Sequence, residues 1–245
     1  MENYDKMAAL GARMFCEQDQ EALLARFPLE HDERFLYIRM LGDAYRIDRA
    51  DGRVGRAIGR AVEGAASALS GASAPRWEPA SAQQALIVLD MACNRVGAPH
   101  PTGSWASTGE LSGAASSPST SGLYASRIDA FAGDPDRLRR ACGAMGARAV
   151  PGGEVSFVFD VFEGVPLWLQ FWDVDDEFPA QMTFLWDKAT ALYLHYETLW
   201  YILFELLDRL LASEGRAEGA VLDRPLANKG RAEGAVLGRS SRETG

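Results

Sequence analysis

Hydrophobic spacing changes period several times along the chain, and each change marks an element. From Tyr4 to Arg26 the apolar positions Met7, Leu10, Met14 and Phe15 recur at helical intervals, followed by Leu23, Leu24 and Phe27. This predicts one or two amphipathic helices ended by Pro28. The stretch "RFLYIRMLGDAYRIDRADGRV" then alternates, with Phe35 and Tyr37 on one arm and Tyr45 and Ile47 on the other. A β-hairpin joined at "LGD" is expected, closed by a second turn at Ala50 to Gly52.

From Gly55 to Pro79 the composition falls to Gly, Ala, Ser and Arg, with Val62, Leu69 and Trp77 as the main apolar residues, so a mobile connection is expected there. "SAQQALIVLDMACNRVGAP" carries helix grammar: Ser81 and Gln84 form a capping box, an apolar stripe follows, and Gly97 with Pro99 stops it. The small and polar run to Gly122 predicts an exposed loop over about 106–122, with Trp105 as its large apolar anchor. Two short helices are predicted next. One lies near Leu123 to Phe131, and the other starts with Asp134 as N-cap and Pro135 at its first position and runs to Gly146.

"EVSFVFDVF", "VPLWLQFW" and "QMTFLWD" are β-rich runs separated by "EG" and "DVDDEFP", the pattern of a three-stranded antiparallel meander. Alternation places Val155, Phe157, Phe159 and Val161 on one face of the first strand, Leu167, Leu169 and Phe171 on one face of the second, and Met182, Phe184 and Trp186 on one face of the third. A long helix from about His195 to Ala212, apolar except for a stripe of Thr198, Tyr201, Glu205 and Asp208, is expected to pack across this sheet. The fold class is therefore α+β: a small antiparallel sheet, from the N-terminal hairpin and the C-terminal meander, packed with helices. The expected organisation is a helical segment over 1–28, one α+β domain over 29–213, and a disordered tail over 214–245, where "GRAEGAVLDR" and "GRAEGAVLGR" recur with a fifteen-residue offset.

Composition narrows the function. With 245 residues, 47% of them hydrophobic, the chain can bury a real core. A net charge of −9 surrounds it with a negative field that argues against nucleic acid as a partner. The greasiest stretch, Leu192 to Leu211, carries Glu197, Glu205 and Asp208, so it reads as a core helix rather than a membrane span. The N-terminus lacks the basic-then-apolar pattern of a secretory signal, and Cys16, Cys93 and Cys142 form no ligand set, so free thiols in a cytoplasmic setting are expected.

Candidate chemistry gathers around "FWDVDDEFP". Asp173, Asp175, Asp176 and Glu177 together suit a hard cation, though the D-x-D-x-D-G spacing of a helix-loop-helix calcium loop is absent. A polar turn between two strands is the plainer reading. For acid/base work, Glu177 beside Phe178 and Pro179 is the candidate buried acid and Glu197 the candidate second carboxylate; the length of "KATALYLHY" decides whether they meet. His195 reads as a cap or surface residue, and His31 and His100 join no Ser/His/Asp grouping. "GRVGRAIGR" lacks the G-K-[ST] of a phosphate loop. Trp168 and Trp172 share the strand face opposite Leu167 and Leu169, where they meet a second layer or line a binding surface.

The run "VPLWLQFWDVDDEFPAQMTFLWDKATALYLHYETL" resembles the C-terminal signature of the bacterial and archaeal domain-of-unknown-function 3786 family. Val165, Pro166 and Leu167, then Trp172, Asp175, Asp176, Glu177, Phe178 and Pro179, then Asp187, and then Leu194, Glu197 and Leu199 carry the resemblance. "PTGSW" (Pro101 to Trp105) and the N-terminal hairpin resemble earlier family segments, whereas Thr198 stands where the family usually has an acid. The family has no assigned activity. With no complete catalytic constellation in the sequence, a non-catalytic binding or accessory domain is expected, with a protein or small molecule as partner, and the resemblance implies a link to anaerobic one-carbon, corrinoid metabolism. No iron–sulfur cluster is carried over, because the chain lacks the cysteine group, and the cofactor is left open. The alternative is a carboxylate-dependent hydrolase or lyase, assisted or not by a divalent cation, with Asp175, Asp176, Glu177 and Glu197 as its site.

Overall fold

The computed structural model describes residues 2–58, 75–94, 96–111 and 121–213. The duplicated tail expected over 214–245 lies outside the described residues. The apolar spacing at the start yields α1 (Glu2–Cys16) and α2 (Gln20–Arg26). Asp19 separates them as N-cap of α2, its carboxylate accepting from the N–H groups of Glu21 and Ala22.

The expected hairpin is the centre of a larger sheet. β1 (Glu30–His31), β2 (Phe35–Met40), β3 (Asp43–Asp48), β4 (Val54–Ile58) and β5 (Arg76–Pro79) form a five-stranded antiparallel meander in chain order. Leu41 and Gly42, with φ of 50° and 82°, make the two-residue turn between β2 and β3. A leucine is held in this left-handed region by tertiary bonds. Its N–H donates to the Val161 carbonyl at 2.8 Å, and its own carbonyl accepts from the Arg209 guanidinium at 3.2 Å.

β4 and β5 correct the expectation of a mobile connection over 55–79: both ends of that stretch are strands, and residues 59–74 lie outside the described residues. Small residues are needed here because Arg46, on β3 opposite Gly55, lies 4.2 Å from the Phe35 ring centroid and 4.7 Å from that of Trp77. The cation and the two rings roof this face, so little aliphatic sequence is required beneath them.

α3 (Ala82–Ala92) starts with the predicted capping box, Ser81 and Gln84 each bonding the other's backbone. It ends earlier than Gly97 because Asn94 takes over: its amide donates to the Met91 carbonyl and its oxygen accepts from the Val96 and Gly97 N–H groups. β6 (Trp105–Ser107) and α4 (Thr108–Leu111) occupy the first part of the expected loop, and residues 112–120 lie outside the described residues. α5 (Ser121–Asp129) and α6 (Pro135–Ala144) follow, with Asp134 capping α6 by accepting from Arg137 N–H.

β7 (Arg148–Ala149), β8 (Val155–Phe162), β9 (Val165–Trp172) and β10 (Gln181–Asp187) join β6 in a second antiparallel sheet, ordered β6-β10-β9-β8-β7. Its inner face follows the predicted alternation: Val155, Leu167, Leu169, Phe171, Met182, Phe184 and Trp186 are buried. An irregularity between Asp160 and Phe162 departs from strict alternation, allowing Val161 and Phe162 both to bury.

α7 (Thr190–Tyr193) and α8 (Tyr196–Ala212) are the last elements of the described residues. α8 packs on α3, α4, α5 and α6, while α3 also meets β2 and β4, α5 meets β10 and α6 meets β8. It thus joins the helices of both sheets into one core. Its polar stripe is not a solvated face. Thr198 and Glu205 are buried, and Glu205 accepts from Gln84 at 2.8 Å and from Arg209 at 2.7 Å. Arg209 also reaches Asp43 at 3.1 Å and the Tyr45 hydroxyl at 2.6 Å, and Arg56 meets Asp43 from β4 at 2.7 Å. This chain of partners ties α3, α8 and the β2–β3 turn together. No helix among the described residues is long and apolar enough to cross a membrane.

Candidate functional site

The acidic stretch forms the eight-residue connection between β9 and β10, and two of its carboxylates each engage backbone N–H groups through one oxygen. Asp175 accepts from the N–H groups of Glu177 at 2.8 Å and Phe178 at 2.7 Å, while its own N–H donates to the Phe178 carbonyl at 3.0 Å. This is a self-closed Asx turn. Asp173 accepts from Val174 N–H and, at 2.7 Å, from Gly133 N–H, pinning the loop to the α5–α6 turn. Asp176 and Glu177 are exposed, as is Phe178, so the ring beside Glu177 provides no burial for an acid. Among the described residues, no group of three or more His, Cys, Asp or Glu is arranged to hold a metal ion.

Glu197 is placed elsewhere. The acidic loop precedes β10 and α8 follows it, so the seven-residue strand, about 20 Å long, lies between the two in the chain path. Glu197 is exposed in the first turn of α8 and lines a groove to which no residue of 173–180 contributes. The structure therefore brings Asp175, Asp176 and Glu177 into one turn but does not bring Glu197 to them.

Trp168 and Trp172 share the outer face of the second sheet, as alternation predicts. Trp168 is half-buried, its indole N–H donating to Ser156 Oγ at 2.8 Å and its ring meeting Trp105 edge-on at 5.4 Å. Trp172 is exposed. The residues at 150–153 approach this face, and a Cβ on Gly152 would lie 2.7 Å from Gln170 and 3.1 Å from Trp168.

The groove containing Glu197 has a volume of about 790 Å³. α1 forms one wall through Met7, Leu10 and Met14, α3 lies beneath through Leu86, Leu89 and Asp90, and Leu192 to Thr198 form the other wall. α1 approaches α3 closely at Gly11, where a Cβ would lie 3.4 Å from Leu89. Of the apolar stripe that marks α1 as amphipathic, Phe15 is fully buried, whereas Met7, Leu10 and Met14 remain exposed. An apolar stripe wider than one neighbour can cover was the available signal.

At this groove His195 pairs with Asp90 across 105 residues of sequence. Its backbone N–H donates to one Asp90 oxygen at 2.9 Å and its ring Nδ1 meets the other. His195 is exposed and is the N-cap of α8, in keeping with its reading as a cap or surface residue, although its side chain makes no cap bond there. The Cys93 thiol in the same groove is pushed up to about 11 by burial and by the Asp90 charge. It stays protonated near neutrality and is no nucleophile. Burial also raises Cys16 and Cys142, and all three cysteines are free.

Asp187, met in the sequence only as a point of family resemblance, is the most completely satisfied carboxylate in this part of the chain. It is 1% exposed and accepts from the N–H groups of Thr102 at 2.9 Å, Gly103 at 2.7 Å and Ala189 at 2.9 Å, and from the Thr102 hydroxyl at 3.1 Å. Burial by itself raises its carboxyl; the three N–H groups and the hydroxyl outweigh that and hold it below the usual range. The segment "PTGSW" is thereby fixed to the end of β10.

Two antiparallel sheets of five strands each, joined through α3 and α8 around one core, make this an α+β domain. The family model for a domain of unknown function, DUF3786, matches residues 19–208, and the chain belongs to that family. No curated protein and no solved structure matches it. The matched range runs from the N-cap of α2 into α8, so α1 precedes it.

Proposed function

We propose that the protein is a non-catalytic binding or accessory domain, and that it binds through the groove between α1, α3 and the α7–α8 segment. The observation that carries this reading is an apolar concavity of about 790 Å³, within the range of ligand sites, rimmed by the exposed side chains of Met7, Leu10, Met14 and Leu192. Exposed apolar surface of this extent is retained where something covers it. The hydrolase or lyase alternative needs Asp176, Glu177 and Glu197 at one place, and the chain path through β10 argues against such a site. A cytoplasmic setting is part of the proposal and rests on the three free cysteines. The connection to anaerobic one-carbon, corrinoid metabolism is supported by the family resemblance and would define the pathway of the partner.

The test is uptake of Nile red, read by its fluorescence, by the full chain and by a Leu10→Asp, Leu192→Asp variant. Uptake by the wild type, reduced at least fivefold in the variant, is expected. Equal uptake by both refutes the groove as the binding site. A thermal-shift screen against divalent cations, repeated on Asp176→Asn, Glu177→Gln, tests the alternative, which is revived by a cation response that only the wild type shows.

A further inference from the structure

Resting on the groove reading above, we infer that its occupant is an amphipathic helix of a partner protein that carries lysine or arginine beside its apolar face. Shape, rim and charge support this independently. Met7, Leu10 and Met14 lie on one helix at offsets of three and seven residues, a row about 10 Å long that matches two turns of an opposing helix. A helix laid in a groove presents anchors at the same i, i+3, i+4 and i+7 spacing.

The rim separates a macromolecule from a small molecule. Leu10 is 47% exposed, Met14 52% and Leu192 60%, so these side chains stand out of the groove on both walls. A small molecule seated on Leu86 and Leu89 would leave the rim wet, whereas a helix spanning both walls covers it. Two of the four rim residues are methionines, whose unbranched, polarisable side chains adapt to an incoming apolar face.

Charge selects the class of helix. Among the described residues, the charged side chains lining the groove are Asp90 and Glu197, together with His195, which is engaged with Asp90, and none is a lysine or arginine. Glu197 is exposed in the first turn of α8. Against an apolar wall that excludes water, its attraction for a cation is stronger than in bulk solvent. A partner cation at this point gains a contact, and a partner carboxylate is repelled.

Two labelled peptides of eighteen residues test this by fluorescence anisotropy with the full chain. Both carry leucine at i, i+3, i+4 and i+7, and one has lysine and the other glutamate at the remaining positions. The lysine peptide is expected to bind at least tenfold more tightly. Leu10→Asp, Leu192→Asp should weaken it at least tenfold, and Glu197→Lys should reduce the preference below threefold, while the melting temperatures of these surface variants stay close to wild type. Equal binding of the two peptides, or a preference unchanged in Glu197→Lys, overturns the charge assignment. Failure of both peptides, with Nile red uptake still lost in the double aspartate variant, overturns the helical occupant and leaves the groove reading standing. Lysine-peptide binding that is indifferent to the double variant overturns both. A wild-type dimer by light scattering that Leu192→Asp dissociates assigns the groove to a second copy of the chain and overturns the proposal.

Discussion

Replacing Asp187 by asparagine removes one acceptor from a carboxylate that uses both oxygens. Oδ2 takes the N–H groups of Thr102 and Gly103, and Oδ1 takes that of Ala189. An asparagine oxygen can face one of these groups, so its NH2 must oppose the other, donor against donor. If the oxygen keeps Thr102 and Gly103, the Ala189 N–H is left unsatisfied in a site that is 1% exposed. Losing a charge-assisted bond costs about 1.5–3 kcal/mol, and a stranded buried donor about 1–3 kcal/mol more. The overlap of these terms gives a net loss of about 3 kcal/mol, or roughly 10 °C in melting temperature for a domain of this size. Because the native carboxyl sits below its unfolded range, its contribution is present above the unfolded pKa and is lost as pH falls through the native one. The gap between wild type and Asp187→Asn should therefore be wide at pH 7 and narrow toward pH 3, as measured by urea unfolding followed by circular dichroism. A gap below about 1 kcal/mol at pH 7, or one that is the same at both pH values, refutes this account of the Thr102–Asp187 junction.

Other sites give sharper or smaller responses. Arg209→Met leaves Glu205, whose side chain is 11% exposed, without a cation and with only Gln84 as partner, while Asp43 keeps Arg56, and it should cost about 3 kcal/mol in urea unfolding; adding Glu205→Leu should recover part of the loss. Gly52→Ala places a Cβ 2.6 Å from the Ala12 carbonyl at a φ of +70°, so it should destabilise by about 1–3 kcal/mol and speed hydrogen exchange in α1 as that helix shifts. Asp175→Ala opens an exposed Asx turn and should cost under about 1 kcal/mol, with both sheets unchanged by circular dichroism.

The parts of the fold legible in the sequence are those set by local chemistry. The Ser81 and Gln84 capping box, Asp134 with Pro135, and the alternation through Phe159, Leu169 and Phe184 each depend on neighbours a few residues away, and each stands as read. β4 and β5 were not legible because their outer face is filled by Arg46, Phe35 and Trp77 rather than by an aliphatic pattern of their own. Gly55 and Ala57 look like linker residues in the sequence and act as the low floor beneath a cation stacked against two rings. The burial of Glu205 was not legible from its place in the polar stripe, because its partners Gln84 and Arg209 come from opposite directions, one of them 121 residues away.

The same distinction separates the residues that mark the family from those that offer a site. Asp187 and Pro101 to Trp105 carry the resemblance, and the structure joins them: Asp187 holds Thr102 and Gly103, and Trp105 pairs with Asp187 across β6 and β10. Asp175 closes its own turn, and its neighbour Asp173 ties that turn to Gly133. Each of these two carboxylates engages backbone N–H groups through its Oδ1, so folding accounts for Asp173 and Asp175 in the acidic signature before function is invoked. Asp90, His195 and Glu197 differ in that they line an apolar groove whose rim is exposed, and one wall of that groove, α1, precedes the family match. A search for function guided by the density of carboxylates leads to 173–177. A search guided by uncovered apolar surface beside charge leads to the groove, where a partner has something to gain by binding.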